Sequence, residues 1–239
     1  HVAFSEAILH LPAKARTIAL NSGCPIEPPG KISLKREEIY EEFGLDPKFK
    51  VLLVTGGSQG SVALNDLVLK NLQRYLEGRE DFFSKWQILW IAGPNNYESL
   101  SRQVSKIEGC TSVKILPYVD RMPLALSLAD LAVSRAGAMT TSEFLAWGVP
   151  AILIPLPGAA ANHQELNALA IQKLGAARCI SQVDLTSEEL WSEIYRLTDD
   201  DQILSQMASQ AIKSGKPEAT AKVVSHMLEL LPESAVRVV

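Results

Sequence analysis

The segment VLLVTGGSQGS, residues 51–61, is the strongest indication both of the fold and of a ligand-binding site. Its apolar half predicts a buried strand, its glycines predict a tight turn, and the pattern LNDLVLKNLQRYL that follows predicts a helix. A strand that turns through glycines into a helix leaves backbone N–H groups unpaired at the helix start, where the helix dipole adds positive charge. Such a site suits a phosphate, so the sequence predicts that the chain binds a phosphorylated ligand.

Composition narrows the class of protein. The 239 residues are 47% hydrophobic and 21% charged, which is ordinary for a globular protein. The net charge of −4 argues against a nucleic-acid partner. Cys24, Cys110 and Cys179 form no CxxC motif and no cluster with histidines, so we predict free thiols and no zinc site. Separately, no group of oxygen ligands suggests a hard-cation site, and we predict neither a metal nor a cofactor. No apolar run reaches the roughly 18 residues that a membrane span needs.

Strand and helix patterns alternate along the chain, which predicts an α/β fold: a Rossmann-like parallel sheet with helices on both faces. Strands are predicted at Thr17–Leu20, Val51–Thr55, Gln87–Ala92, Ser112–Leu116, Leu131–Val133, Ala151–Ile154 and Arg178–Ile180. Helices are predicted at about 35–43, 61–76, 96–107, 121–128, 139–147, 163–174, 187–197, 201–213 and 217–231.

The ends of the chain suggest how it is divided. HVAFS at the start has the pattern of a strand end, and PIEPPGK at 25–31 predicts a linker. We therefore expect residues 1–30 to be the remnant of a preceding domain with its linker. Residues 31–232 are then a phosphate-ligand domain and 233–239 a tail, so we expect the chain to be a fragment or a processed product.

The glycine turn at Gly56–Gly60 has alternative interpretations. It fits G-x-S-x-G, the nucleophile elbow of α/β hydrolases, with Ser58 as nucleophile and His163 or His226 as its base. No oxyanion segment of the HGGG type accompanies it, and a plain turn without a ligand is a second alternative. The turn does not match G-x-G-x-x-G, so a dinucleotide site is poorly supported.

Two later loops also leave predicted strand ends. In SRAGAMTTSE, residues 134–143, the small residues allow close approach of a ligand, and Thr140 or Thr141 is expected to cap the helix. Glu143, expected in the first helical turn, either interacts with the helix dipole or accepts ribose hydroxyls. Arg135 pairs either with a diphosphate or with a surface acid.

The loop PLPGAAANHQELNA begins at Pro155 and carries Asn162 as the expected helix cap. His163 and Gln164 follow and suit the donor and acceptor pattern of sugar hydroxyls. The run Asp199–Asp201 resembles a metal-binding motif, but because it precedes a helical pattern we predict a helix cap instead.

Taken in order, GGSQG, PYVDRM, SRAGAMTTSEFLAWGVPAILIPLP, NHQELNA and LGAA resemble the MurG-type glycosyltransferases of family 28. Members transfer N-acetylglucosamine from UDP-GlcNAc to the lipid-linked muramyl-pentapeptide precursor of peptidoglycan. Their GT-B fold has two Rossmann-like domains, and the C-terminal one holds the donor. The resemblance implies that this chain is the C-terminal domain, one half of a GT-B enzyme, with a short piece of the preceding domain.

The resemblance also implies a donor site. It places the diphosphate and sugar beside the glycine turn, the uracil at YVDRM, the diphosphate at the helix start after SRAG, the ribose on Glu143 and the sugar on the HQ pair. The predicted binding residues are Gly57, Ser58, Gln59, Gly60, Val119, Met122, Arg135, Gly137, Ala138, Met139, Thr140, Glu143, His163, Gln164 and Asn167.

The chemistry implied by the resemblance is an inverting displacement that needs no metal. No catalytic residue is expected in this chain, because the family's amino-terminal domain binds the lipid acceptor and supplies the base. The isolated chain should therefore bind UDP-GlcNAc but transfer little. Membrane contact is expected only through that other domain. The expected location is the cytoplasm, at the inner face of the membrane, or the equivalent place in a plastid stroma.

Two departures from the family pattern leave alternatives open. Cys24 and Glu27 stand in GCPIE where members often have GNPVR, and Ala161 and Asn162 replace acidic residues before the HQ pair. One alternative is a donor-binding subunit of a split glycosyltransferase, which an exposed apolar patch in residues 1–30 would support. Another GT-B enzyme, either a glycolipid galactosyltransferase or a UDP-GlcNAc epimerase, is the other.

Overall fold

The computed structural model describes residues 1–5, 8, 11–30, 32–78, 80–107 and 110–230. Within these residues, six strands form one parallel sheet. They are β1 (Lys50–Thr55), β2 (Trp86–Ile91), β3 (Val113–Leu116), β4 (Ala129–Ser134), β5 (Ala151–Leu153) and β6 (Ala177–Cys179). The interior strands β1 and β2 are almost wholly buried, as expected for a sheet covered on both faces.

Helices connect and flank the strands. They are α1 (Ala13–Arg16), α2 (Arg36–Phe43), α3 (Val62–Gly78), α4 (Glu80–Lys85), α5 (Tyr97–Val104), α6 (Met122–Leu128), α7 (Ala138–Trp147), α8 (His163–Lys173), α9 (Ser187–Thr198), α10 (Asp201–Ser214) and α11 (Ala219–Glu229). Short 3-10 turns occur at Cys110–Ser112 and Ala160–Asn162. Among the described residues, no helix is both long and apolar enough to cross a membrane.

The strand order, β3-β2-β1-β4-β5-β6, fixes where a ligand can bind. The chain first winds outward from β1 to β3 and then returns to β4 on the other side of β1. Neighbouring loops therefore diverge at the carboxyl ends of β1 and β4, and this divergence opens a crevice. In open parallel sheets, ligands bind at such a switch point.

The two faces of the sheet have separate cores, because side chains alternate along each strand. Val51 and Leu53 pack with residues of α2, α6, α7 and α8, whereas Leu52 and Val54 pack with residues of α3, α4, α5 and α9. Helix α10 contributes to both cores through Ala211 on one side and Leu204 and Met207 on the other. The predicted Rossmann-like α/β fold is confirmed.

Most predicted elements are confirmed with shifts of one or two residues at their ends, but the strand predicted at Thr17–Leu20 is wrong. Helix α1 ends at Arg16, Thr17 and Ile18 form the turn that follows it, and the opening HVAFS is not a strand either. In the described part of this segment, two backbone hydrogen bonds join its first residues to residues 20–23: Val2 N donates to Leu20 O at 2.8 Å, and Gly23 N donates to Val2 O at 3.2 Å. Two bonds are too few to form a ladder.

The linker segment is nevertheless fastened to the body of the protein. Thr220 Oγ1 donates to Ile26 O at 3.0 Å, and Trp147 Nε1 donates to Glu27 O at 3.2 Å. Ile26 itself is buried. The division at residue 30 stays a prediction, and the predicted tail at 233–239 lies outside the described residues.

Candidate functional site

A cavity of about 290 Å³ lies at the switch point, beyond the carboxyl ends of β1 and β4. Three loops and two strand ends meet there, and α7 forms one side. Its lining residues are Thr55, Gly57, Ser58, Ile91, Tyr118, Val119, Met122, Met139, Thr140 and Glu143. Seven of these are predicted binding residues, whereas Thr55, Ile91 and Tyr118 were not predicted. Tyr118 had a signal in the sequence, because it is an aromatic residue beside Val119 in a strand-end loop.

The glycine turn after β1 is in close backbone contact with the loop after β2. Gly60 has φ 72°, and a Cβ added to it would lie 2.0 Å from Ala92 O. A Cβ on Gly93, which follows β2, would lie 2.3 Å from Gln59 O. Neither position can carry a side chain, so the turn is pressed against the loop after β2. Gly93 therefore positions the glycine turn, a role that was not predicted from the sequence.

Side chains beneath the turn strengthen this contact. Asn65 of α3 donates through Nδ2 to Ala92 O at 3.0 Å and accepts from Trp90 Nε1 at 3.0 Å. Both residues are buried. Gly57, by contrast, faces open space at φ 86°, and Ser58 is exposed. The tip of the turn is thus open to a ligand while its base is fixed.

The second wall of the cavity is the start of α7, where Gly137 is the cap residue and no side chain caps the helix. The cap predicted at Thr140 or Thr141 is wrong. Thr141 lies inside the helix, and its hydroxyl donates back to Gly137 O at 2.8 Å. The first N–H groups of α7, at Ala138, Met139 and Thr140, have no partner within the helix and are available to an anion.

Glu143 lies in the second turn of α7, so its predicted place in the first turn is wrong. The helix-dipole interpretation of Glu143 loses support, since that effect fades beyond the first turn. The carboxylate is half-buried, and burial raises its pKa. It makes no hydrogen bond or salt bridge to any residue that the structure describes. A partly desolvated carboxylate that lines a cavity is suited to accept ligand hydroxyls.

Arg135 is buried at the base of the cavity region, with 7% of its surface exposed. Its Nε and Nη2 donate to Ser61 Oγ at 3.1 and 2.8 Å, and Nη1 donates to Ile154 O at 3.0 Å. The interpretation that Arg135 pairs with a surface acid is wrong, because these partners are neutral. The side chain joins the ends of β4 and β5 to the start of α3.

The loop after β5 is held by internal hydrogen bonds. Asn167, which is buried, donates to Ala136 O at 3.0 Å and so fastens α8 to the SRAG turn. Gln164 Oε1 accepts from Leu156 N at 3.0 Å, which leaves its amide N–H groups available. His163 Nδ1 lies 2.7 Å from Ala160 O, and since a carbonyl only accepts, Nε2 of the neutral ring is the free acceptor.

Asn162 stands at the start of α8 in a left-handed conformation, with φ 54°. Asn162 is the N-cap residue of α8, as predicted, but its side chain makes no capping hydrogen bond, and its Nδ2 donates to Glu165. The predicted binding residues that do not line the cavity all lie in the loops and helix starts beside it: Gln59, Gly60, Arg135, Gly137, Ala138, His163, Gln164 and Asn167. Their ligand contacts stay predictions.

Two other motifs have structural explanations. Asp200 caps α10 by accepting from Gln202 N at 2.9 Å and Ile203 N at 3.0 Å, which confirms the predicted helix cap. In the described chain, Ser58 makes no hydrogen bond to a histidine, and His226 instead lies against His1 at 3.0 Å. A hydrolytic triad around Ser58 therefore has no support. The residues that depart from the family pattern, Cys24 and Glu27, do not line the cavity.

Strand order, helix placement and a polar crevice at the switch point define an α/β ligand-binding domain of the Rossmann-like type. Residues 51–223 match the family model of the glycosyltransferase family 28 C-terminal domain, and the chain belongs to that family.

Individual relatives agree with this family. Over 233 residues the chain is 38% identical to the UDP-N-acetylglucosamine--N-acetylmuramyl-(pentapeptide) pyrophosphoryl-undecaprenol N-acetylglucosamine transferase of Desulfitobacterium hafniense (strain Y51), covering 95% of this chain and 60% of that protein. The protein of the same name from Lactobacillus acidophilus is 35% identical over 192 residues, covering 80% and 50%.

A solved structure supports the fold as well. The crystal structure of MurG from Acinetobacter baumannii matches with a TM-score of 0.65 and 30% sequence identity, covering 80% of this chain and 53% of that one. The domain is therefore one half of a GT-B type glycosyltransferase fold. The chain spans about 50–60% of the length of these curated relatives.

Proposed function

We propose that this chain is the donor-binding part of an inverting, UDP-GlcNAc-dependent hexosyltransferase that acts on the lipid-linked muramyl-pentapeptide precursor of peptidoglycan. The observation that carries the proposal is the cavity at the switch point, where the glycine turn, the YVDRM loop and α7 come together. The names of the relatives supply the donor and the acceptor.

The chemistry of the cavity walls suggests how the donor lies. Tyr118, Val119 and Met122 offer an aromatic and apolar wall to the uracil. The Glu143 carboxylate accepts from the two ribose hydroxyls. The diphosphate lies between the tip of the glycine turn and the free N–H groups at the start of α7. The sugar then extends toward His163 and Gln164, whose free polar atoms include both an acceptor and donors.

In the proposed reaction an acceptor hydroxyl attacks the anomeric carbon of the donor. The bond from that carbon to the β-phosphate oxygen breaks, and UDP leaves with the bonding electrons. Backbone N–H groups at the turn and at α7 stabilise the charge on the departing diphosphate, so we propose that no metal is required. The base that takes the acceptor proton belongs to another part of the enzyme. The chain alone should bind the donor and transfer little.

We also propose that the enzyme works at the cytoplasmic face of a membrane, or in a plastid stroma, because the acceptor named in its relatives is lipid-linked. Contact with the membrane is then made outside the residues of the donor site. No nucleic-acid partner is proposed, given the net charge of −4.

Calorimetric titration in EDTA tests this function, with UDP-GlcNAc, UDP-galactose, UDP and NAD as ligands. We expect UDP and UDP-GlcNAc to bind and NAD to show no binding. Absence of UDP binding would refute the glycosyltransferase proposal. Tighter binding of UDP-galactose would favour a glycolipid galactosyltransferase, conversion of bound UDP-GlcNAc to its epimer would identify an epimerase, and binding that requires magnesium would contradict the metal-free mechanism.

A second candidate function is supported by the surface of the first residues. Ile18 is 77% exposed and Leu20 is 42% exposed, on a segment that packs beside α11. Such a patch suits the donor-binding subunit of a split glycosyltransferase. Mixing the chain with an acceptor-binding protein should then give a stable complex by sedimentation. Replacing Ile18 and Leu20 by serine should dissociate that complex without changing UDP affinity. A complex that stays unchanged would contradict the role of a split-glycosyltransferase subunit.

A further inference from the structure

Arg135 is a buried cation that has no salt-bridge partner among the residues that the structure describes. Its guanidinium contacts one hydroxyl, Ser61 Oγ, and two carbonyls, Ile154 O and Pro155 O. No carboxylate forms a salt bridge with it in the part of the chain that the structure describes. A charge removed from water without an opposite charge is costly, even when its N–H groups are hydrogen-bonded. The free protein therefore holds an uncompensated positive charge at the carboxyl ends of β4 and β5.

The charge stays on the side chain. Burial lowers the pKa of Arg135, but arginine starts so high that the guanidinium remains protonated at any physiological pH. An anion supplied from outside the chain is then the way to compensate this charge.

Ser61 lies between the buried charge and the glycine turn, next in sequence to the turn whose Gly57 and Ser58 line the cavity. It precedes α3 and directly follows the glycine turn. Its oxygen accepts two N–H bonds from Arg135 and a longer one, 3.4 Å, from Leu64 N. With its lone pairs occupied, the hydroxyl has one role left, which is to donate its own proton. No described residue accepts that proton, and the adjoining cation polarises the O–H bond.

We propose that the diphosphate of the bound donor is the counter-ion of Arg135, and that Ser61 transmits this charge by donating its hydroxyl proton to a phosphate oxygen. Arg135 acts as a positioning residue behind Ser61 and not as a direct ligand. This inference rests on the proposed UDP-sugar site. It explains why that site should prefer a ligand with a diphosphate. Part of the charge that grows on departing UDP is then met by a cation already buried and fixed in place.

The test compares the affinities of the 239-residue chain for UDP, UMP and uridine by calorimetry at fixed ionic strength. Arg135→Gln and Arg135→Lys both lose the guanidinium fork, and they differ in charge. We expect Arg135→Gln to reduce the ratio of UDP to uridine affinity by about 10- to 100-fold, whereas Arg135→Lys keeps it within about threefold. Ser61→Ala should reduce the ratio by about tenfold. Arg102→Gln, which removes an exposed charge on α5, is the matched control and should leave the ratio unchanged.

A purely structural role for Arg135 predicts a different result. In that case Gln and Lys variants lose UDP and uridine affinity equally, and this outcome would overturn the inference. If Arg135→Gln does not fold, Ser61→Ala decides, and an unchanged ratio in that variant overturns the inference as well. Failure of the wild-type chain to bind any of the three ligands would refute the proposed function itself, which distinguishes the two failures.

Discussion

The two walls of the cavity are built in opposite ways. The wall after β1 is fixed by backbone against backbone, where Gly60 and Gly93 leave no room for a Cβ atom. The wall after β4 is open at Gly137, where an added Cβ would meet nothing within 4 Å, and it is fixed from behind by the side chains of Arg135 and Asn167. One wall therefore depends on the absence of side chains, and the other depends on two particular ones.

The largest effect is expected from breaking the first wall. Gly60→Ala places a Cβ 2.0 Å from Ala92 O at a left-handed backbone position. Both the clash and the strain act on backbone that cannot move independently, so we expect a loss of unfolding free energy of about 3 kcal/mol or more. Urea denaturation monitored by circular dichroism measures this loss. A variant as stable as the wild type would show that the turn and the loop after β2 are not pressed together.

Breaking the second wall should have a smaller effect on stability. Asn167→Ala leaves Ala136 O without its side-chain partner in a buried place, and we expect a loss of about 2 kcal/mol. UDP affinity should fall with it, because the SRAG turn is no longer fastened to α8. The same denaturation and calorimetric measurements apply. Ser99→Ala, an exposed position on α5, serves as control and should change neither quantity.

Glu143 lies on the second wall, where its side chain lines the cavity. The carboxylate should bind ribose hydroxyls in its charged form, so Glu143→Gln is expected to weaken UDP binding about tenfold at neutral pH. Because burial raises the pKa of Glu143, wild-type affinity should fall as the pH is lowered through that raised pKa. The Gln variant should show no such fall. A pH series of UDP titrations on both proteins measures this difference.

Glu143→Gln should raise the stability of the folded protein at neutral pH, although it weakens UDP binding. A carboxyl group whose pKa is raised by folding favours the folded state when protonated. Its contribution is therefore lost as the pH rises from the unfolded pKa through the folded one. Above both values Glu143→Gln should be more stable than the wild type, and thermal unfolding at pH 5 and pH 8 compares them. Equal stability at both pH values would contradict the burial of this carboxylate.

The smallest effect is expected at Gly137, the open position of the second wall. Its φ of −63° is available to every residue, and an added Cβ meets no neighbour. Gly137→Ala should change the unfolding free energy by less than about 0.5 kcal/mol. If UDP affinity drops although stability does not, the space at Gly137 is occupied by the ligand. Unchanged affinity would place the diphosphate nearer to the glycine turn.

The sequence predicts the fold well because strong local patterns carry it. Val51–Thr55 is an apolar run ended by glycines, and the helices that follow keep a regular apolar spacing. The direction of parallel strands then brings the correct loops to one edge. The segment at Thr17–Leu20 has a similar apolar pattern, but it has no adjacent strand to pair with in the described chain. The strand predicted from that pattern is therefore wrong.

The details of the site depend on packing that no local pattern encodes. Gly93 matters because a loop distant in sequence presses on it. Arg135 is hydrogen-bonded to three neutral oxygens, and among the described residues it forms no salt bridge with an acid. Helix starts show the same limit. Thr141 lies inside α7, where its hydroxyl donates to Gly137 O, and Asn162 is the N-cap residue of α8 although its Nδ2 donates to Glu165.

The contact between Gly60 and Gly93 has a consequence for engineering the donor preference by directed evolution. Substitutions or insertions in the turn after β1 would have to be matched in the loop after β2 at the same time, so random libraries there should yield mostly inactive clones. Gly137 and Gly158 both face open space, in the loops after β4 and β5. A library confined to the loop after β5 would sample new sugars without changing the residues at the start of α7 that are proposed to hold the diphosphate.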